Sequence, residues 1–105
     1  MKIVFMGSAA FAVPSLKALA EARHEILEVV TQPDKPAGRG MQMTSCPVAI
    51  AAREAGLPLF QPKSVKNDDA IEHFRGLAPE LIAVVAYGKI LPRALLDIPP
   101  HGCIN

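Results

Sequence analysis

Few residues in this 105-residue chain have the type and spacing that chemistry requires, and most of the familiar arrangements are absent. No serine or cysteine sits in a G-x-S-x-G elbow, so nothing suggests a strained nucleophile. Cys46 and Cys103 are far apart, with no CxxC and no histidine at ligand spacing. They read as reduced thiols of a cytosolic protein, not a disulfide or a zinc site, and no metal is expected. His24 precedes an apolar run, His73 lies beside Glu72, and His101 stands between Pro100 and Gly102; each reads as a surface residue. The turn G-S-A-A-F (7–11) has one glycine where a dinucleotide fingerprint needs three, and the next apolar run ends in Thr31-Gln32 with no acid for a ribose. No P-loop occurs. Two features remain. TQPDKPAGRG (31–40) packs two prolines, two glycines and the cations Lys35 and Arg39 into a stretch with no core-forming side chain. It is longer than a plain connection needs, and is either a linker or a loop that holds something. Asn105, closing the last apolar run, reads by itself as a strand-end residue that tolerates a turn.

The elements around these residues follow from apolar runs and their stops. KIVFM (2–6) has the continuous apolar character of a parallel strand covered on both faces. A helix is expected from Phe11 through Ala22 with Pro14 in its first turn, and a second strand over EILEVVT (25–31). Pro47 opens a helix that stops at Gly56; Leu57–Phe60 is a brief edge strand because it contains Pro58. Asn67 is an N-cap, with Asp68 and Asp69 on the positive end of a helix ending near Gly76. LIAVVAY (81–87), the most apolar strand, should lie at the centre. A helical turn over PRALLD and a fifth strand at GCIN (102–105) follow. Alternating strands and helices predict an α/β, Rossmann-like parallel sheet with right-handed crossovers, in strand order 3-2-1-4-5. Ligands of such sheets bind beyond the carboxyl ends of the strands, here at Gly7–Phe11 and Tyr87–Pro92.

Composition bounds the partners. Half the residues are apolar, 20% are charged and the net charge is +1, which is globular and lacks a global field for nucleic acid. Apolar runs are strand-sized, well short of the roughly 20 residues that cross a membrane. MKIVFMG runs directly into a strand pattern, which reads as no signal peptide and a cytoplasmic protein. The last strand has no helix to cover one face, so an apolar surface is expected. The chain therefore reads as the N-terminal part, residues 1–105, of something longer, or as a small protein that covers this surface by dimerising.

KIVFMGSAAFAVPSLKAL, TQPDKPAGRG with SCPV after it, FQP (60–62), VVAYGKILP (84–92) and GCIN occur in that order in methionyl-tRNA formyltransferases, which this chain resembles over its whole length. The resemblance implies the N-terminal part of a formyltransferase fold. It also implies transfer of a formyl group from 10-formyltetrahydrofolate to the amino group of methionyl initiator tRNA, in translation initiation. Asn105 would be the first member of an Asn, His and Asp trio, with the histidine two positions further on in an N-x-H-x-S-L-L-P motif. The 105-residue chain alone is then expected to be inactive. Tyr87, Gly88, Lys89, Ile90 and Leu91 would form the folate pocket, Gly88 by close approach and Ile90 and Leu91 as walls, although core packing explains those two walls as well. The 31–40 loop would reach the tRNA acceptor end through Lys35 and Arg39. The full-length enzyme is expected to be a monomer, while the fragment could self-associate through its exposed sheet. Two alternatives stand beside this: a non-catalytic product binding folate, RNA or a partner, and a folate-dependent formyltransferase acting on another amine.

Overall fold

The computed structural model describes every residue except Arg39. In chain order the elements are β1 (Lys2–Gly7), a 3-10 turn (Ala10–Ala12), α1 (Val13–Glu21), β2 (Glu25–Val30), β3 (Lys35–Ala37), β4 (Gln42–Thr44) and α2 (Pro47–Glu54). They continue as β5 (Leu59–Phe60), α3 (Asp68–Leu77), β6 (Leu81–Val85), α4 (Arg93–Leu96) and β7 (Cys103–Ile104). The main sheet runs β5-β2-β1-β6-β7 with every pairing parallel. Counted along the main sheet alone, this is the expected 3-2-1-4-5.

β1 occupies the middle because its side chains are apolar in both directions. Ile3 and Phe5 join Val29 and Ala83 beneath Leu16 of α1 and Val48 and Ala52 of α2. Val4 and Met6 join Val30 and Ile82 against Ile71 and Phe74 of α3 and Leu95 of α4. Full burial of such a side chain contributes about 1.5–3 kcal/mol, so both layers depend on this one strand. The expectation that 81–87 is central is corrected here: β6 lies beside β1 and ends at Val85. Ala86 takes a left-handed backbone, φ 49°, which ends the strand and turns Tyr87 into the core. Leu81, Val84 and Val85 are only partly buried, since β6 has a two-residue neighbour on its far side.

Local signals set most boundaries. Pro47 sits at the first position of α2, where its missing N–H is no loss. The Asn67 side chain accepts from the Ala70 N–H at 2.8 Å and caps α3. α3 runs past Gly76 and ends where Ala78 turns left-handed at φ 51°. β1 and β2 slip register between Ile3 and Val4, so that Leu27 and Glu28 both serve the α3 side of the sheet.

One region departs from expectation. The 31–40 stretch and the residues after it form an antiparallel hairpin, Lys35 opposite Thr44, Pro36 opposite Met43 and Ala37 opposite Gln42. Both strands of a two-stranded ribbon are edges, and Pro36 is tolerated there for that reason.

Candidate functional site

The carboxyl ends of the parallel strands all open toward one side, and their polar residues meet there. Gly7 ends β1 against β6: a Cβ on it would stand 2.5 Å from the Val85 carbonyl oxygen and 3.0 Å from the Ala12 Cβ. This close approach lets the Ser8 N–H donate to the Ala86 carbonyl at 3.0 Å. Ser8 Oγ accepts the Gln32 backbone N–H at 3.0 Å, so the loops after β1 and β2 are joined. The Gln32 side chain reaches onward, donating from Nε2 to the Tyr87 carbonyl at 2.9 Å and accepting from Lys35 Nζ at 3.2 Å. Gln61, just beyond β5, donates from Nε2 to the Gln32 carbonyl at 3.2 Å. Four loops are thereby fastened at one residue.

These loops wall an open, largely apolar cavity of about 540 Å³, lined by Ser8, Gln32, Lys35, Cys46, Ala86 and Gly88 among others. Gly88 has φ 87°, and a Cβ there would stand 2.6 Å from Gln32 Nε2. The positive φ favours glycine, a side chain would have to push the Gln32 amide aside, and the bare backbone leaves space a planar ring could use.

The residues singled out in the sequence fall unevenly around this cavity. Gly88 and Lys35 line it. Tyr87 contributes backbone, while its ring is buried beneath α3 and α4 with its hydroxyl lacking a partner; burial pushes its phenol above the ordinary value. Lys89 donates to the Lys63 carbonyl at the edge of an adjoining 420 Å³ groove, which shares Gly88 with the cavity and also includes Ile90. Ile90 is 79% exposed, so ordinary core packing does not describe it; Leu91 is partly buried against the α3 layer. Asn105 is exposed directly after β7, one step beyond the Ile104–Ala83 pair toward the carboxyl edge. Arg39 lies outside the described residues.

Sequence reasoning missed Ser8, Gln32 and Gln61, which are unremarkable polar residues until the topology brings three strand ends together. It also read His73 as a surface residue. Its Nε2 lies 2.6 Å from Glu28 Oε1, and its ring packs on Phe60 with centroids 4.2 Å apart. The available signal was Glu28 itself, a carboxylate inside the apolar run EILEVVT that needs a partner once buried. Both cysteines are free thiols, and burial followed by the Asp97 charge pushes the Cys103 thiol up. Among the described residues, no three His, Cys, Asp or Glu side chains gather as a metal site, and no helix is long and apolar enough to cross a membrane.

A doubly covered parallel sheet with a ligand-sized cavity at its carboxyl edge defines an α/β protein of the Rossmann-like class. Within that class the chain belongs to the formyl transferase family, whose model, described as "Formyl transferase", matches residues 1–105. It is 54% identical over 105 residues to a methionyl-tRNA formyltransferase from Pelotomaculum thermopropionicum and 50% identical to one from Geotalea daltonii, covering all of this chain and 34% of each relative. The chain thus spans about a third of the length of the curated relatives it matches. Among solved structures it is similar to phosphoribosylglycinamide formyltransferase from Bacillus halodurans, with TM-score 0.68, 9% identity and 98% of this chain against 54% of that one. Glycinamide ribonucleotide transformylase 1 from Symbiobacterium toebii matches with TM-score 0.65 and 15% identity, over 98% of this chain and 49% of its own. At these identities the two structures speak for the fold alone.

Proposed function

We propose that this chain forms the front of the catalytic domain of a methionyl-tRNA formyltransferase. Such an enzyme moves a formyl group from 10-formyltetrahydrofolate to the methionyl amine of initiator tRNA. The observation that carries the reading is the match of about 50% identity along all 105 residues to proteins of that name. The cavity is consistent with it, having an apolar lining and a glycine edge where backbone can approach a ring. Gly88, with the backbone of Tyr87, holds the folate ring, and Lys89, Ile90 and Leu91 border it.

In the transfer, the amine nitrogen attacks the formyl carbon, the bond from that carbon to the folate nitrogen breaks, and the proton the amine gives up is taken by that departing nitrogen. The carbonyl oxygen carries negative charge in between, and the Asn105 amide N–H donates to it; removing one such donor typically costs about 3–4 kcal/mol of transition-state stabilisation. Lys35 and Arg39 meet phosphates of the acceptor arm, Arg39 with the fork that suits both phosphate and base edges. The folate donor is a substrate and no metal is called for. The working protein is a cytoplasmic monomer, and this 105-residue piece self-associates through the apolar edge near Ile104.

Binding of initiator tRNA across a salt series tests the reading. Expected is an affinity that falls with salt and is weakened by Arg39→Ala, with a slope smaller by about 1. Binding that ignores salt, or survives the substitution unchanged, would favour an enzyme acting on another amine.

A further inference from the structure

A two-stranded hairpin is marginal by itself in water, and β3 and β4 have exposed side chains throughout. Something outside the ribbon must hold it. Its two roots are Asp34 and Ser45, the residues next to the terminal pair Lys35–Thr44. One side chain reaches both. Arg53, from the last turn of α2, donates to Ser45 Oγ and places its other nitrogen 3.6 Å from Asp34 Oδ2. That same nitrogen donates to Gln61 Oε1 at 3.2 Å. Gln61 closes the ring by donating to Asp34 Oδ1 at 2.9 Å and to the Gln32 carbonyl at 3.2 Å. The hairpin roots, α2 and the β5 loop therefore share one network, and its inner end is the residue that contacts the cavity loop at Tyr87.

The geometry points to Arg53, seconded by Gln61, as a positioning residue: it fastens both roots of the hairpin and so sets where Lys35 and the hairpin tip stand relative to the cavity. The function assigned to that aim rests on the tRNA reading above. Arginine suits the task because its fork serves two acceptors at once, which the single ammonium of lysine does not.

The test compares Arg53→Lys and Gln61→Leu with the unchanged chain in two measurements: amide hydrogen exchange, and binding of an acceptor-arm RNA over a salt series. If Arg53 clamps, both variants quicken exchange across residues 35–44 while β1 and β2 amides keep their rates. Both then lose RNA affinity by about fivefold with the salt slope unchanged, since no phosphate contact is removed. A phosphate contact by Arg53 predicts otherwise: Arg53→Lys keeps its charge and its affinity, and Gln61→Leu does nothing. Either that pattern, or exchange quickened uniformly through β1 and β2, overturns the clamp. An unchanged chain that binds no RNA overturns the tRNA reading instead, and hydrogen exchange then decides the clamp by itself.

Discussion

The hydroxyl of Tyr87 is buried in an apolar layer with no hydrogen-bond partner, while its own carbonyl is held by Gln32. An unsatisfied buried polar group costs about 1–3 kcal/mol. Tyr87→Phe is therefore expected to raise stability by about 1 kcal/mol, as read by urea denaturation. The phenol also carries a sign. Its folded pKa is raised by burial, so the fold keeps its full stability below the unfolded value near 10 and loses some as pH climbs toward the folded one, where only the unfolded chain ionises freely. The chain should weaken above about pH 10, and the phenylalanine variant should weaken less. Gly88→Ala should act in the opposite direction at every pH. It puts a Cβ 2.6 Å from Gln32 Nε2 at a backbone angle that disfavours side chains, so the Gln32–Tyr87 bond must open. On the proposed folate reading, loss of folate binding with the fold retained, by calorimetry beside circular dichroism, is the expected result.

At the scale of elements, α3 is tied to the sheet by more than apolar contact. Glu28 is 8% exposed and takes His73 as its partner across the layer. His73→Ala strands that carboxylate and should cost about 1–3 kcal/mol, measured by denaturation. Glu28→Gln, which still offers an acceptor, should cost less. The pair shows where sequence reading reaches its limit. The strand over 25–30 is plain from its apolar run, yet strict alternation puts Glu28 on the face of Ile26, and only the register slip turns it toward α3. The hairpin was hidden for a related reason. Its strands are only three residues each, include Pro36, and leave Ala37 and Met43 exposed with no buried apolar face, because a clamp at Asp34, Ser45 and Arg53 holds them in place of a core. Asp34 records that clamp. The Gln61 amide first, then the Ser45 hydroxyl, lower its pKa, with Arg53 adding to them. The clamp is accordingly whole above the ordinary carboxylate value of 3.8 and loosens as pH falls through the lowered one, which faster hairpin amide exchange in acid would register.

For the molecule as a whole, the sheet order was readable because each strand is a short apolar run closed by glycine, proline or a cap, and right-handed crossovers leave few ways to stack them. The loop after the inner strand, Tyr87–Pro92, was readable as lying at the carboxyl edge, since loops there follow from strand direction alone. The polar residues that join the loops around the cavity were not, because Ser8, Gln32 and Gln61 acquire meaning only when strands far apart in the chain lie side by side. That separation has a consequence in time. β1 pairs with β6 from Ile3–Leu81 onward, and the Lys2 N–H donates to Glu80, 78 residues away. On a ribosome adding about 5–20 residues per second, the central strand emerges first and waits several seconds for the neighbour on its second side. The Ser8 N–H and the Ala86 carbonyl meet only after that interval. Chains stalled before Gly88 are expected to leave β1 open to protease, and chains stalled well beyond it to protect β1. During synthesis, the most buried strand of the finished protein is the one left longest without its full set of neighbours.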